Sequence, residues 1–479
     1  MKSGQNRIKR ISVSWLLILS LHLIILMLVQ PVAAQMDNSY QILEAKIDSL
    51  FQKTMYDQRI PGAGIIILKD GKILMKKGYG FTRLGEEINY VNSDSTIFRV
   101  GSITKSFTAL ALLQQIDRNK INLEDDVNTY LSSLQVLKNF KKPITPYHLL
   151  THSAGFDELG GRRVFNENEQ ITLADFLKTN LRRVREPGEI TAYSTYGIAL
   201  SGLLVQDLSN MELEEYLKTN IWEPLGMKMT SIDLPEEHGV ITSLGYEMYN
   251  NINIPQPWEW YHTFPASSIN STVTDMGKYM QMLLNLGTLQ DNSILSRDLT
   301  KRMLTKQLSI HPDADGFTFG LYERKWNGIS SINHGGEMLG FSSIMTLIPE
   351  ENIGIFVVHH HEGTNLRYLA IETVLKQLLE TKSHTVRNKK LESNLSPFTG
   401  KYVWLSNCQT CSESNNQEKW EITSNNNNML SGFNRIFYQV APLLFKSTDG
   451  QRTMSFKKDK DGKVKYMSLG NINVFEKIE

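Results

Sequence analysis

The residues with the clearest chemical potential are a serine and a lysine three positions apart, in Ser102-Ile-Thr-Lys105. A serine hydroxyl is a weak nucleophile until a nearby base accepts its proton. Residues three apart share one face of a helix, so the Lys105 amine can lie beside the Ser102 oxygen. The run from Phe107 to Leu113 is almost wholly apolar, which predicts a buried helix. Burial makes lysine a better base, and free N–H groups at a helix N-terminus can stabilise an oxyanion.

A serine and lysine at this spacing are weak evidence by themselves. Roughly two Ser-x-x-Lys matches are expected by chance in a chain of this length at ordinary residue usage. The sequence holds a second match, Ser455-Phe-Lys-Lys458, in an alternating stretch that ends at a charged turn. We interpret that second match as structural.

Two further motifs follow the first along the chain. Tyr193-Ser-Thr195 comes about 90 residues after Ser102, and His334-Gly-Gly336 lies just before the apolar run Phe341 to Ile348. This order resembles the three motifs of serine β-lactamases and penicillin-binding proteins. The resemblance is closer to the class C-like branch, which includes esterases and D-aminopeptidases.

Further stretches resemble the same branch and extend the similarity over roughly residues 40 to 380. They are Pro61-Gly-Ala-Gly64, Lys69-Asp-Gly-Lys72, Leu149-Leu-Thr-His-Ser-Ala-Gly155, Trp222-Glu-Pro-Leu-Gly-Met227 and Ser271-Thr-Val-Thr-Asp-Met276. The resemblance implies an exported serine hydrolase that forms an acyl-enzyme on an ester, an amide or a D-amino-acid peptide. It implies no metal and no organic cofactor. The rival hypothesis is a catalytically silent binding protein with the same fold.

The resemblance also assigns roles to individual residues. It makes Ser102 the nucleophile, with Lys105 and Tyr193 exchanging the proton between nucleophile and leaving group. His334 would position the substrate or tune Tyr193. The resemblance also implies a substrate and oxyanion group that contains Thr195, Gly336 and Glu337, in which the backbone N–H groups of Ser102 and Glu337 would form the oxyanion hole.

Two residues depart from the pattern of this branch. Thr195 stands where an asparagine is usual, so a hydroxyl replaces a bidentate amide. His334 stands where true β-lactamases usually carry lysine, and histidine is mostly neutral at pH 7. Both departures predict weak or absent β-lactamase activity, and neither removes the nucleophile.

The composition of the 479 residues is that of a large globular protein with no dominant charge. Hydrophobic residues make up 41% of the chain, and 51 Lys and Arg against 50 Asp and Glu leave a net charge of +1. Such a length and composition suggest two to three domains with a large core. No basic field attracts nucleic acid, and the charge balance names no partner. The resemblance implies a small-molecule or peptide substrate, including cell-wall-derived ones.

The N-terminus has the pattern of a secretory signal. Four basic residues precede an apolar run from Trp15 to Val29, and Val32-Ala-Ala34 resembles a cleavage site. We favour a cleaved signal peptide over residues 1–34, and hence a periplasmic or extracellular protein. The alternative is an uncleaved membrane anchor, although the run is short for a spanning helix.

The two cysteines, Cys408 and Cys411, form one Cys-x-x-Cys in a polar stretch near the C-terminus. A zinc site would need two more ligands at matching spacing, and a redox motif would be expected to open a helix. A small local disulfide in an oxidising compartment is the favoured state.

The hydrophobic pattern predicts an α+β domain over residues 35–382. Helices are predicted at Tyr40 to Gln52, after Ser102, and at Asp175 to Leu181, Gly197 to Leu208, Met276 to Leu286 and Leu366 to Leu379. Strands are predicted at Gly64 to Leu68, Ile73 to Met75, Phe317 to Trp326, Ser331 to His334, Phe341 to Pro349 and Ile353 to His359. Together they predict an antiparallel sheet flanked by helices plus a helical subdomain, with the cleft between them.

The end of the chain has a different pattern. Residues 383–396 are polar and basic and stop at Pro397, which predicts a linker. Residues 397–479 show short alternating runs separated by turns, which predict a small all-β barrel or sandwich, similar to the lipocalin-like domain of some relatives in this branch.

Three other groups carry weaker chemical signals. Thr151-His-Ser153 lacks the glycine of a nucleophile elbow, so we interpret His152 as a packing residue. Successive side chains of a strand point to opposite faces, so His359-His-His361 is not expected to converge on one metal ion. Trp258, Trp260 and Tyr261 either line the cleft or pack within their loop.

Overall fold

The computed structural model describes residues 40–85, 89–233, 242–379, 394–411, 418–425, 428–470 and 472–478. The chain divides into two compact units, residues 1–50 and 51–479. Of the first unit the structure describes residues 40–50, which are helical. The predicted signal peptide, residues 1–34, lies outside the described residues, as does most of the predicted linker.

Ten α-helices are found among the described residues. They are α1 (residues 40–57), α2 (Thr104–Asp117), α3 (Pro146–Leu150), α4 (Leu173–Asn180), α5 (Thr195–Ser209), α6 (Leu213–Leu217), α7 (Glu223–Leu225), α8 (Val273–Leu284), α9 (Arg297–Met303) and α10 (Leu366–Leu378). Side-chain caps define several starts: Ser194 accepts a hydrogen bond from the Gly197 N–H at α5, and Thr272 from the Asp275 N–H at α8. The four longer helices predicted after residue 170 are present within a few residues of their predicted bounds.

The strands of residues 62–359 form one large sheet and several two-stranded ribbons. They are β1 (Gly62–Lys69), β2 (Lys72–Gly80), β3 (Phe98–Arg99), β4 (Arg163–Val164), β5 (Tyr246–Tyr249), β6 (Ile252–Pro255), β7 (Trp260–Tyr261), β8 (Asn270–Ser271), β9 (Thr288–Leu289), β10 (Asn292–Ser293), β11 (Tyr322–Trp326), β12 (Ile329–Met338), β13 (Phe341–Ile348) and β14 (Ile353–His359). The large sheet has six strands in the order β11-β12-β13-β14-β1-β2, all paired antiparallel. The β1–β2 turn at Asp70 and Gly71 has positive φ at both residues, as a tight hairpin requires.

The core explains why the apolar run after Ser102 is so long. Helix α2 is buried from Thr104 to Gln115, since it packs against α5 within the helical subdomain. Phe107 stacks on Tyr279 of α8 with ring centroids 3.8 Å apart. Helix α8 in turn packs on β1 and β14, so the helical subdomain and the sheet share one core. The predicted α+β architecture is therefore confirmed.

Three predicted strands differ from the observed ones, and one of them, predicted at Ile73 to Met75, extends over Lys72–Gly80. The strand predicted from Phe317 begins at Tyr322, because Phe317 makes only isolated bridges to Leu308 and Tyr322. The strand predicted to end at His334 continues to Met338. Glycine is a poor strand residue, so the Gly-Gly pair hid this continuation from a propensity argument.

The end of the chain forms a closed eight-stranded antiparallel barrel. Its strands are β15 (Gly400–Trp404), β16 (Lys419–Ser424), β17 (Leu430–Gly432), β18 (Arg435–Ala441), β19 (Leu444–Ser447), β20 (Thr453–Lys458), β21 (Val464–Leu469) and β22 (Asn473–Lys477). Closure comes from pairing of β15 with β22. Its interior is filled by aromatic side chains such as Phe398, Phe445 and Phe456. The predicted small β domain is confirmed as a barrel.

Cys408 and Cys411 form the expected local disulfide, after β15. Among the described helices, none has both the length and the apolar character needed to cross a membrane.

Candidate functional site

Ser102 lies on a short, tightly held turn. It belongs to a 3-10 turn at Gly101–Ile103, directly before α2, and therefore does not itself open the α-helix as predicted. Gly101 has φ +57°, a left-handed conformation that favours glycine. The Thr104 hydroxyl donates to the Gly101 carbonyl oxygen at 2.7 Å, and Ser343 Oγ donates to the Val100 carbonyl oxygen at 2.8 Å. The turn is thereby fixed on both sides of the serine.

The Lys105 amine meets the Ser102 hydroxyl, as the spacing predicts. Lys105 Nζ lies 3.0 Å from Ser102 Oγ and donates to the Ala266 carbonyl oxygen at 2.8 Å. Lys105 is 1% exposed. Burial lowers the pKa of Lys105 to about 7, although the Glu158 carboxylate opposes that shift. A large fraction of the amine is therefore neutral at pH 7 and able to accept a proton.

Tyr193 completes a three-residue cluster with Ser102 and Lys105. Its hydroxyl is hydrogen-bonded to Ser102, and Lys105 Nζ lies 4.9 Å from the centre of its ring. Burial raises the pKa of Tyr193 well above its usual range. The phenol therefore stays protonated at neutral pH and can donate a hydrogen bond to an atom at the serine.

His334 lies at the same site as an uncharged ring. It is 1% exposed and sits between Tyr193 and Tyr322, with ring centroids 6.1 Å and 5.2 Å away. Burial, together with the nearby Lys105 charge, lowers the pKa of His334 to about 3. Its Nδ1 pairs with the Gly335 carbonyl oxygen at 2.7 Å. His334 therefore brings a neutral polar group, and not the permanent charge of a lysine, to the cluster.

The second half of β12 lies against the Ser102 turn. Strand β11 pairs with β12 only as far as Asn333, so the following residues have β13 on one side and the turn on the other. A Cβ atom at Gly336 would collide with the Val100 carbonyl oxygen and with Ser343 Oγ. The Glu337 backbone nitrogen lies 3.0 Å from where a Cβ atom of Gly101 would be. Gly336 thus allows β12 to bring the Glu337 backbone nitrogen against the turn that carries Ser102.

Thr195 is the first residue of α5 and is partly buried. The helix cap is made by its neighbour Ser194, whose backbone N–H donates to His152 Nδ1 at 3.0 Å. The polar partners of Lys105 are Ser102 and the Ala266 carbonyl, neither of which is Thr195. The structure thus brings six of the predicted site residues to one place, and Thr195 lies two positions after one of them, Tyr193, in the chain. The six are Ser102, Lys105, Tyr193, His334, Gly336 and Glu337.

Two groups at the site were not found from the sequence. The Ala266 carbonyl has no side-chain signal, since any residue offers the same oxygen. Glu158 is 8% exposed, and its carboxylate accepts from the Tyr196 N–H at 3.4 Å and from Arg162 at 2.8 Å. Burial raises the pKa of Glu158. As one of two acids in Phe156-Asp-Glu-Leu159, it has the sequence pattern of an ordinary surface pair.

His152 packs at the site, as expected for a packing residue. Its ring stacks on Tyr193 with centroids 4.8 Å apart, and burial lowers its pKa well below the usual range. The sequence predicted that His152 packs, but it did not identify Tyr193 as the partner. In Thr151-His152-Ser153 the serine hydroxyl pairs with Thr151 at 2.9 Å, which fits a structural loop.

The remaining histidine and aromatic candidates have partners elsewhere in the protein, and Trp260 and Tyr261 pair with β4 and line a cavity. His360 pairs with the carbonyl oxygens of Leu244 and Phe81, while His359 and His361 have other partners. In the described part of the chain no group of three or more His, Cys, Asp or Glu side chains is arranged to hold a metal ion. The Arg99 guanidinium lies 4.2 Å from the centre of the Trp258 ring, and Tyr261 donates to the buried Glu259 at 3.1 Å.

The geometry defines a class of protein. A buried amine with a lowered pKa lies at a serine, a protonated tyrosine is hydrogen-bonded to that serine, and a strand passes alongside. These are the groups that acyl transfer through a serine uses. With an antiparallel sheet and a helical subdomain, this is the arrangement of the serine β-lactamase and penicillin-binding-protein superfamily.

Comparison with known proteins identifies the family. The Beta-lactamase family model matches residues 47–379, well over half of the chain, and the chain belongs to that family. Protein flp of Staphylococcus aureus (strain N315) is 26% identical over 320 residues, which cover 66% of this chain and 62% of that protein. Beta-lactamase-like protein 2 of Dictyostelium discoideum is 28% identical over 340 residues, which cover 67% of this chain and 60% of that protein. The chain thus spans less than two thirds of the length of these curated relatives.

Solved structures share the fold over nearly the whole chain. The octameric penicillin-binding protein homologue from Pyrococcus abyssi has a TM-score of 0.61 at 24% identity and covers 90% of this chain and 99% of that one. SurE has a TM-score of 0.65 at 17% identity and covers 92% of this chain and 100% of its own. The predicted β-lactamase-like fold is confirmed.

Proposed function

We propose that this protein is an exported serine hydrolase that cleaves an ester, an amide or a D-amino-acid peptide through an acyl-enzyme, with weak or absent β-lactamase activity. The observation that carries the proposal is the buried Lys105 amine, with a pKa of about 7, placed 3.0 Å from Ser102 Oγ. A general base must be neutral and must lie within hydrogen-bond distance of the hydroxyl. A lysine with only a structural role needs neither feature.

The chemistry follows from the three side chains. Ser102 Oγ forms a bond to the substrate carbonyl carbon while Lys105 accepts the hydroxyl proton. The Tyr193 hydroxyl gives its proton to the leaving oxygen or nitrogen as that atom separates from the carbonyl carbon, and Lys105 returns a proton to the Tyr193 oxygen. Water then attacks the acyl carbonyl carbon while Lys105 accepts one of its protons. The bond from that carbon to Ser102 Oγ breaks, Lys105 gives the proton to Ser102 Oγ, and the acid product leaves.

The oxyanion of each tetrahedral intermediate is assigned to the backbone N–H groups of Ser102 and Glu337. The support is the family resemblance together with the close approach of β12 to the Ser102 turn at Gly336. Backbone donors held by a strand and a turn need no reorganisation when charge develops on the substrate oxygen.

The substrate proposal rests on the two departures from the β-lactamase pattern. A neutral His334 and a short Thr195 provide neither a fixed positive charge nor a bidentate amide for a β-lactam. Among similar folds, SurE has been solved with D-Leu. Short-chain esters and D-amino-acid peptides are therefore the first substrates to test.

Export is part of the proposal because of the N-terminal pattern and the disulfide. The basic and apolar segments before Ala34 have the order of a secretory signal. The Cys408–Cys411 disulfide suits an oxidising compartment.

The experiment is covalent labelling with a fluorophosphonate, followed by peptide mapping of the modified serine. We expect one label, on Ser102, and we expect Ser102→Ala to lose both the label and turnover, by a factor on the order of a thousand or more in rate. A wild-type rate in Ser102→Ala would remove the proposed mechanism.

The chain supplies a matched control in its other Ser-x-x-Lys sequence. Ser455 lies in β20 and its hydroxyl pairs with Ser468 at 2.6 Å, in the barrel. Ser455→Ala should keep full labelling. A protein that binds fluorescent penicillin reversibly, takes no covalent label and turns over no substrate would favour the rival, a silent binding protein.

A further inference from the structure

Two of the segments that contact the barrel also contact the residues around Tyr193. One segment is the acidic pair Asp157 and Glu158, and the other is residues 189–192, directly before Tyr193. We call these two segments, with the barrel residues that touch them, the barrel seam.

At the first segment the disulfide loop of the barrel binds Asp157. This carboxylate is fully buried and accepts from the Gln409 N–H at 2.7 Å, the Thr410 N–H at 3.0 Å and the Thr410 hydroxyl at 2.7 Å. Cys408 and Cys411 pack against the core of the β-lactamase-like domain. The disulfide constrains the short loop that presents these donors to one carboxylate.

At the second segment the barrel contacts residues 189–192 through hydrogen bonds and apolar packing. The Glu189 carboxylate accepts from Lys465 Nζ and from the Tyr466 hydroxyl, each at 2.7 Å. Burial disfavours its charge, but these hydrogen bonds and the nearby Lys465 and Arg185 cations together outweigh burial and lower the pKa of Glu189. Ile190 and Ala192 are buried in one cluster with barrel residues Leu405, Tyr466 and Val474.

Both segments connect directly to the tyrosine. The Ala192 N–H donates to the His152 carbonyl oxygen at 2.8 Å, and His152 stacks on Tyr193. Asp157 Oδ1 also accepts from the Glu158 N–H at 3.0 Å, and the Glu158 carboxylate is hydrogen-bonded to Ser194 and to the Tyr196 N–H. Residues on both sides of Tyr193 are therefore held by groups that the barrel holds.

We propose that Asp157 and Glu189 are positioning residues through which the barrel fixes the Tyr193 segment against Ser102. The proposal rests on the proposed hydrolase function for its kinetic consequences, whereas its structural consequence stands alone. The barrel then acts on the reaction through the protein, without touching the reacting atoms, and opening of the Cys408–Cys411 loop slows turnover.

The test compares Asp157→Asn with Asp207→Asn. Asp207, in α5, makes the same kind of contacts away from the barrel, accepting from the backbone N–H groups of Ser132 and Ser133 and from the Ser133 hydroxyl. We expect Asp157→Asn to lower kcat with little change in KM, on the order of tenfold to a hundredfold, because small displacements of a catalytic group are costly. Asp207→Asn should leave kcat unchanged.

A double-mutant cycle links the effect to the barrel. Thr410→Val removes the hydroxyl that donates to Asp157 at 2.7 Å and accepts from Arg182 at 3.2 Å. The part of its effect on kcat that passes through Asp157 should disappear in the Asp157→Asn background. Fully additive effects would mean that Asp157 acts independently of the loop, and would overturn the proposal.

Reduction of the disulfide provides an arm that needs no substitution. The chain has two cysteines, so a phosphine reductant acts on this disulfide alone and maleimide labelling reports its opening. We expect the reduced protein to lose kcat in the same direction as Asp157→Asn. This arm decides the question if Asp157→Asn does not fold.

Hydrogen exchange measured on the peptide spanning residues 189–197 separates this proposal from the proposed function. Both Asp157→Asn and reduction should speed exchange there, with Asp207→Asn unchanged. If reduction speeds exchange in the wild-type protein and that protein takes no label at Ser102, the result would support the seam and reject the hydrolase. Unchanged exchange and unchanged kcat after reduction would overturn the seam.

Discussion

At this site burial shifts the pKa of Lys105 more than the neighbouring charges do. Glu158 raises the pKa of Lys105, whereas burial and the Arg162 cation lower it, and burial is the largest of the three influences. A lysine in water is protonated at pH 7 and cannot accept the serine proton. The environment that the fold builds around Lys105 thus supplies the neutral amine that the proposed base needs.

The first residue-level prediction concerns pH. Because Lys105 must be neutral to act, kcat/KM for an ester should rise with pH through about pH 7 and level off above it. Lys105→Arg keeps a cation that stays protonated, so its activity should fall on the order of a hundredfold or more at every pH. Stopped-flow ester hydrolysis between pH 5 and 9 measures both. A flat wild-type profile would contradict the assignment of Lys105 as base.

The second residue-level prediction concerns substrate choice. Nitrocefin should be hydrolysed more slowly than a short-chain p-nitrophenyl ester, because His334 carries no charge to meet the β-lactam carboxylate. Its pKa of about 3 means that acidification to pH 5 leaves the ring neutral. The ratio of the two rates should therefore stay constant from pH 8 to pH 5, although Lys105 protonation lowers both. A ratio that shifts toward nitrocefin as the pH falls would show that His334 becomes charged.

At the scale of elements, the site depends on how β12 approaches the Ser102 turn. The sequence predicts a strand that ends at His334, and the structure continues it past the two glycines to Met338. The two glycines differ in the atoms that a Cβ would meet at each position. Gly336 faces the Val100 carbonyl oxygen and Ser343 Oγ, whereas the nearest atom to a Cβ at Gly335 is the Tyr322 hydroxyl oxygen at 3.4 Å.

This difference gives a prediction with a built-in control. Gly336→Ala should push β12 away from the turn and move the Glu337 N–H from its place, reducing Ser102 labelling on the order of tenfold or more. Gly335→Ala adds the same methyl group at ordinary contact distance and should label normally. Labelling rates with circular dichroism as a check of folding measure the pair. Equal rates for the two variants would show that the close approach at Gly336 does not matter for acylation.

At the scale of the whole molecule, local patterns predicted the parts and missed how they join. The three motifs, the α+β order and the barrel follow from spacing, periodicity and resemblance, each readable within a short window. The seam does not, because Asp157 and Glu189 have the pattern of solvated acids and meet their partners more than 250 residues later in the chain. Glu158 and the Ala266 carbonyl were missed for the same reason, since only tertiary packing gives them a role.

The last prediction concerns the predicted linker, residues 383–396, which lies outside the described residues except for its end. A protease that cleaves in this polar segment should leave the barrel bound, because the seam joins the two parts through Asp157, Glu189 and a buried apolar cluster. The two fragments should elute together in size-exclusion chromatography and label at Ser102 like the intact chain. A chain ending near residue 390 should fold and still take the label, but more slowly, since residues 189–192 then lose their contacts with the barrel. Separation of the fragments at micromolar concentration, with unchanged labelling, would show that the barrel is an independent module and that Tyr193 is positioned without it.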